Sequence, residues 1–295
     1  MSVLATPDQA AVTVAASPSH WGNVARRLGR DPVTLGCLLL LTLIVLAAIL
    51  APVIAPDDPY KTSMLRRLQA IGSPSHLLGT DELGRDMLTR LIYGGRLSLF
   101  MGLGPVAAAL LIGASLGIAA GFIGGWVNTA IMRTMDVFYA FPSVLLAIAI
   151  SGALGAGLLN SIVSLTVVFI PPITRVAESV TTGVRSLDFV DAARATGAGT
   201  LAIIRVHVLG NVLGPIFVYA SSLISVSIIL SSGLSFLGLG VKPPEPEWGL
   251  MLNTLRQSIW INPLVSVLPG AAIFATSICC NLISDGLRAA MDIKR

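Results

Sequence analysis

Residues 137–174 read Val137-Phe-Tyr-Ala-Phe-Pro-Ser-Val-Leu-Leu-Ala-Ile-Ala-Ile-Ser-Gly-Ala-Leu-Gly-Ala-Gly-Leu-Leu-Asn-Ser-Ile-Val-Ser-Leu-Thr-Val-Val-Phe-Ile-Pro-Pro-Ile-Thr174, 38 residues without a charge. At about 1.5 Å of rise per residue, one helix of that length far exceeds the roughly 30 Å hydrocarbon core of a bilayer. Gly152, Gly155, Gly157 and Asn160 cluster in the middle and mark a tight turn. The run reads as two membrane-spanning helices, near 135–153 and 158–178. Outward from it, charge-free runs at 33–55 and 98–123 supply two earlier spans, and apolar stretches near 214–238 and 262–284 supply two later ones. The runs are long and do not alternate, which predicts helices and not barrel strands. The fold class is an all-α membrane protein with six transmembrane helices.

Composition agrees. Of 295 residues, 54% are apolar and only 12% charged, with a mean hydropathy of +0.84. Soluble domains carry about 25% charged residues, and each charge facing lipid is costly. No polar block is long enough for a separate soluble domain, so residues 33–295 read as one membrane domain behind a tail at 1–32. The net charge of +4 comes from Lys and Arg placed mainly between apolar runs. That suits lipid headgroups and predicts no nucleic-acid partner. Cys37, Cys279 and Cys280 lie inside apolar runs and read as small buried hydrophobes. His20, His76 and His207 are dispersed, so no metal site is predicted.

Six crossings put both termini on one side. If that side is the cytoplasm, eleven Lys and Arg face inward and eight outward, a mild positive-inside bias. Met1–Pro18 lacks Lys and Arg, so it reads as a cytoplasmic tail and not as a secretory signal. Trp21, Val24 and Leu28, with Arg26, Arg27 and Arg30 among them, fit either an amphipathic helix on the membrane surface or an ordinary basic flank.

Gly113, Gly117, Gly121 and Gly125 recur every four residues and predict one small helix face for close packing. Gly113-Ala-Ser-Leu-Gly117 also matches G-x-S-x-G. A hydrolase serine needs a strand-to-helix elbow, which mid-helix Ser115 lacks.

The polar insertion between spans four and five is Arg185-Ser-Leu-Asp-Phe-Val-Asp-Ala-Ala-Arg-Ala-Thr-Gly-Ala-Gly-Thr-Leu-Ala-Ile-Ile-Arg-Val-His-Val-Leu-Gly-Asn211. Ser186 or Asp188 is placed to cap a first helix that ends at Gly197 and Gly199. Thr200 is placed to cap a second, Leu201–Leu209, closing at Gly210-Asn211. The result is a helix-turn-helix tied between two spans and poor in basic residues, which does not suit DNA.

Within it, Asp191-Ala-Ala-x-x-x-Gly197 followed by His207-x-Leu209 resembles the EAA signature of ABC-importer permeases. Asp191 stands for the family's Glu and Gly210 for its Pro. Leu78-Gly-Thr-Asp-Glu-Leu-Gly-Arg-Asp-Met-Leu-Thr-Arg-Leu-Ile-Tyr-Gly-Gly-Arg96, Leu234-Ser-Phe-Leu-Gly-Leu-Gly-Val-Lys-Pro-Pro-Glu-Pro-Glu-Trp-Gly249, and Asp285-Gly-Leu-Arg288 with Asp292 are similar to the C-type permeases of oligopeptide, dipeptide and nickel importers. The similarity runs from roughly Trp21 to the C-terminus.

The resemblance implies a MetI-like fold in a bacterial cytoplasmic (inner) membrane. It also implies a cytoplasmic coupling helix carried by Asp191, Ala192, Ala193, Arg194 and Gly197, with His207 and Leu209 in the second arm. The implied partners are a second, B-type permease, ATP-binding subunits and an extracytoplasmic substrate-binding protein. The implied activity is peptide import by alternating access, with nickel, glutathione or another small solute as alternative cargo. ATP and Mg would be bound by the partner ATPase, and no cofactor is expected in this chain. The residues agree independently: Lys61, Lys242 and Lys294 follow Tyr60, Val241 and Ile293, so none completes a Gly-Lys-Ser/Thr P-loop.

Other residues carry two readings each. Arg175 and Glu178 could line a solute path or pair with each other at the inner end of span four. Asp81, Arg85 and Asp86 could recognise solute or a binding protein, or could cap an external helix. Glu245, Glu247 and Trp248 suit a rigid contact surface or an interfacial anchor in a Pro-rich external loop. Rival classes lack their marks. An intramembrane enzyme needs a His-Glu-x-x-His helix, paired aspartates or a Ser–His dyad, and an ion-driven transporter usually shows inverted repeats with broken midplane helices or buried carboxylates.

Overall fold

A computed structural model describes residue 22 and residues 26–291. Trp21 and Val24 of the surface-helix reading lie outside the described residues, as do Asp292, Lys294 and Arg295.

Helix α1 (Pro32–Ile49) begins where the Asp31 carboxylate accepts from the Val33 and Thr34 amides at 3.2 and 3.3 Å. Pro32 follows at the first helical position, where its missing N–H has no partner to lose. Most of α1 is unpacked: Val53 just beyond it and Leu39 within it are 82% and 63% exposed. Such a surface suits lipid, which is as apolar as leucine. The segment 55–86 contains one 3-10 turn, Met64–Arg66.

Helix α2 (Met87–Ile123) has 37 residues and begins eleven residues before the expected span at 98. Asp86 sets that start by accepting from the Thr89 amide at 2.7 Å. Helices α3 (Gly125–Tyr139) and α4 (Ser143–Leu154) meet at 88°, so the straight span expected at 135–153 is a bent pair. Pro142 explains the corner, because it has no N–H to continue the helix and disfavours helical backbone at Phe141. The turn at 155–157 holds Gly155 at φ +86°, and Asn160 Nδ2 donates to the Leu154 and Gly155 carbonyls, both at 2.9 Å.

Helix α5 (Leu158–Arg185) leads into α6 (Asp188–Ala195). Then Thr200–Ile203, a π-turn at Ile204–Val208, and α7 (Leu209–Phe236) run on as one 37-residue apolar helix. The second arm of the elbow therefore does not close at Gly210-Asn211. A short α8 (Trp248–Leu255) and the long α9 (Pro263–Met291) complete the chain. Five helices are long and apolar enough to cross a membrane, and the α3–α4 pair, bent by 88°, passes the same test only when its two halves are taken together, as a broken span or a re-entrant loop. Among the described residues there is no strand, only the isolated bridges Ser73–His76 and Thr80–Asp86.

The glycine stripe fixes the central contact, α2 against α5. A Cβ at Gly117 would overlap the Thr174 carbonyl, and one at Gly121 would come within 2.6 Å of the Glu178 carbonyl. Bare glycine lets the two backbones touch. Gly125 lies past the end of α2 and faces open space, so it takes no part. One buried apolar cluster joins Leu165 and Ile173 of α5, Ile216 of α7, and Val190, Ile203 and Val208 of the elbow.

Candidate functional site

The elbow at 185–211 is both fastened and displayed. Val190 of α6 and Val208 of the second arm are fully buried, and Ile203 nearly so, whereas Asp191, Ala192, Gly197 and Leu201 are exposed. Arg194 donates to Asp191 Oδ1 at 2.9 Å, one turn away. The same guanidinium lies 5.5 Å from the ring centroid of Phe122, at the end of α2. Gly197, at φ +80°, closes α6: its N–H donates to the Arg194 carbonyl at 2.9 Å, and the Ala198 N–H to the Ala193 carbonyl at 3.2 Å. This paired closure requires left-handed backbone, which glycine adopts without strain. No side chain caps the N-terminus of α6, since Leu187 holds that position. Asp188 and Asp191 in its first turn complement the helix dipole instead. Thr200 likewise caps nothing, because Gly199 precedes that arm.

The π-turn is the feature sequence reading missed. The Leu209 N–H reaches back five residues to the Ile204 carbonyl, and Asn211 Nδ2 donates to the His207 carbonyl at 2.7 Å. His207 is half-buried, and its ring meets that of Phe189 on α6 at 6.3 Å. The two arms thus touch through aromatic contact as well as through the buried core.

A second cluster sits at the bent corner. Arg175 of α5 donates to Asp136 of α3, and its guanidinium stacks 4.6 Å from the Tyr139 ring centroid. Arg133 lies 3.7 Å from the same carboxylate. Glu178 accepts from Asn128 at 2.7 Å and Thr182 at 3.2 Å. The Arg175–Glu178 pair read from spacing is not formed: both lie on α5, but their partners come across from α3 and, for Glu178, one turn further along. Asp136 was missed although Arg133-x-x-Asp136 stands visibly before Pro142, because its partner is 39 residues away.

At the opposite end, residues read as contact candidates are buried. Asp81, Arg85 and Asp86 are 2–4% exposed, Trp248 3% and Glu247 0%. Asp81 accepts from Arg85 Nε at 2.6 Å, Arg90 Nε lies 3.4 Å from the same oxygen, and Asp86 pairs with His76 at 2.9 Å. Glu247 caps α8 through the Gly249 and Leu250 amides, both at 2.8 Å, and receives Ser98 Oγ at 3.1 Å. Burial pushes its carboxyl above the ordinary value. These groups hold the cap together and present no surface. Glu245 is exposed and accepts from Tyr60 at 2.8 Å, so it alone of the six remains a contact candidate. Ser115 donates to the Leu111 carbonyl at 2.7 Å within α2, with none of the geometry of a nucleophile.

Known proteins with related sequences bear on these sites. Residues 113–294 match the family described as binding-protein-dependent transport system inner membrane component. Residues 19–70 match the N-terminal TM domain of oligopeptide transport permease C. The di/tripeptide transport system permease protein DppC of Pseudomonas aeruginosa is 42% identical over 93% of this chain and 91% of its own length. The glutathione transport system permease protein GsiD of Pectobacterium atrosepticum is 39% identical over 93% and 91%. The dipeptide permease DppC of Alkalihalophilus pseudofirmus is 39% identical over 94% and 90%. An inward-facing structure of the MetNI methionine ABC transporter superposes with a TM-score of 0.57 at 20% identity, covering 69% of this chain and 97% of that one. That likeness establishes the fold. With matches at this identity along nearly its whole length, the chain belongs to the inner-membrane permease family of binding-protein-dependent (ABC) transport systems.

Proposed function

We propose that this permease is one half of a two-permease solute path, driven by a separate ATPase that grips the elbow at 185–211. The elbow and both termini face the cytoplasm, and the 55–86 and 237–262 segments face a solute-binding protein outside. The partners are a second, B-type permease, ATP-binding subunits holding ATP and Mg, and the extracytoplasmic binding protein. ATP binding moves the elbow, and the cavity between the permeases switches the side to which it opens. Such switching needs ATP to bind the two states with different affinity. The cargo is a short peptide, in keeping with what the di/tripeptide and dipeptide relatives are named for. A glutathione-like tripeptide is the second reading, favoured by the glutathione relative.

The single observation behind this reading is the elbow's division of labour. Its displayed face, with Asp191 at 66% side-chain exposure, is rigidly joined to the membrane helices through fully buried Val190 and Val208. A force applied to α6 is therefore carried into α5 and α7. Replacing Asp191 with Lys and Gly197 with Val tests it. Membrane insertion should persist while ATP-driven uptake is lost, and normal uptake by the double variant would refute the coupling role.

A further inference from the structure

The corner between α3 and α4 combines features that packing alone does not require. Asp136 and Arg175 keep side-chain exposures of 40% and 44%, so their pair is open to whatever occupies the adjoining space. Two arginines, Arg133 and Arg175, address the single Asp136 carboxylate, leaving the group one positive charge in excess. Glu178, one turn along α5 from Arg175, is engaged by Asn128 and Thr182. Arg133, Asp136 and Arg175 line one pocket with Asn128 and Thr129, and the Tyr139 ring that carries Arg175 lines a second cavity of about 270 Å3, with Phe138, Phe141, Phe169, Pro171 and Tyr219 around it. Charged groups inside a membrane-spanning bundle are costly and usually serve a path.

We propose that Arg175 reads the carboxylate of the transported solute, with Asp136 occupying that position while the path is empty. This rests on the peptide-permease reading above. An arriving carboxylate replaces Asp136 at the guanidinium, a like-for-like exchange of charge-assisted hydrogen bonds that keeps the guanidinium paired. Arg133 takes up the released Asp136, or the solute's ammonium does. The aromatic wall receives the side chains. A charged pair beside an apolar cavity suits a zwitterion with variable side chains, because charge fixes orientation while apolar surface accepts many shapes.

The test uses the complete transporter in liposomes with its ATPase and binding protein, given the dipeptide Ala-Ala or its C-terminal amide. The binding protein is common to all variants, so changes in the acid-to-amide ratio report on the permease. Arg175→Gln should raise the KM for the acid roughly ten- to hundredfold, the range for losing a hydrogen bond to a charged group, and move that for the amide by less than about threefold. Asp136→Asn should lower the KM for the acid, since Arg175 is then uncontested. The exchanged pair, Asp136→Arg with Arg175→Asp, restores a bridge but not the preference for the acid. Recovery of wild-type KM by the exchanged pair, or equal losses for acid and amide in Arg175→Gln, would make the bridge purely structural and overturn the proposal. If Arg175→Gln does not assemble, unchanged acid KM in Asp136→Asn overturns it. Failure of the unmodified transporter to move either peptide would refute the peptide reading itself, before any variant is compared.

Discussion

The ring of Phe189 and the imidazole of His207 meet at 6.3 Å with a 45° tilt, the aromatic contact between the two arms of the elbow. Tilted aromatic pairs contribute about 0.5–1.5 kcal/mol beyond the area they bury. Val190 and Ile203 would still anchor each arm without it. Phe189→Ala should therefore leave the bundle folded and loosen the elbow: the ratio of solute moved to ATP hydrolysed falls severalfold while ATP hydrolysis continues. Parallel measurement of both rates checks this, and an unchanged ratio would assign the contact no part in coupling.

The stability of the bundle depends on closeness at Gly117. Its missing Cβ is replaced by the Thr174 carbonyl and the Ala177 methyl across the interface. Gly117→Ala forces two backbones apart, at a cost of about 1–3 kcal/mol for overpacking. Gly183, near the end of α5, faces open space. There alanine should be neutral or stabilising by up to about 1 kcal/mol, through helix propensity. Thermal unfolding of the two variants in detergent should shift in opposite directions, or at least differ by several degrees.

Glu247 gives the protein a pH signature. It lies in the connection between α7 and α8, and burial raises its carboxyl above the ordinary 4.5. Between 4.5 and the raised value the folded chain holds a proton that the unfolded chain has released. The resulting contribution to stability is full below 4.5 and is lost as pH climbs through the raised value. Glu247→Gln removes the proton exchange, so the unfolding temperature of that variant should depend less on pH over this window.

The membrane helices were legible because burial in lipid demands long apolar runs, and the 155–157 turn because Gly155, Gly157 and Asn160 are adjacent in sequence. What escaped depends on partners distant in sequence. Arg175 and Glu178 suggested a pair by spacing alone, yet Arg175 bonds Asp136, 39 residues back. Asp81, Arg85 and Asp86 read either as a contact for solute or a binding protein or as the cap of an external helix, and Asp86 does cap α2. They are buried because Asp81 pairs with Arg85 and Arg90, and Asp86 is held by the His76 ring and the Thr89 amide, within a folded cap. Gly210 and Asn211 looked like a helix stop, but the widened turn at Ile204–Val208 carries the chain straight through. Pro142 did announce the bend, and the unbroken apolar run around it concealed the signal.

The orientation and exposure of Ala192 decide more than any other quantity. A single cysteine at Ala192, in a chain whose Cys37, Cys279 and Cys280 are replaced by alanine, can be probed with a membrane-impermeant maleimide. The expected result is no labelling in intact cells, rapid labelling in inside-out vesicles, and protection there once the ATPase subunits are bound. Ready labelling from outside intact cells would place the elbow on the wrong side for any nucleotide-driven motor and contradict the assignment.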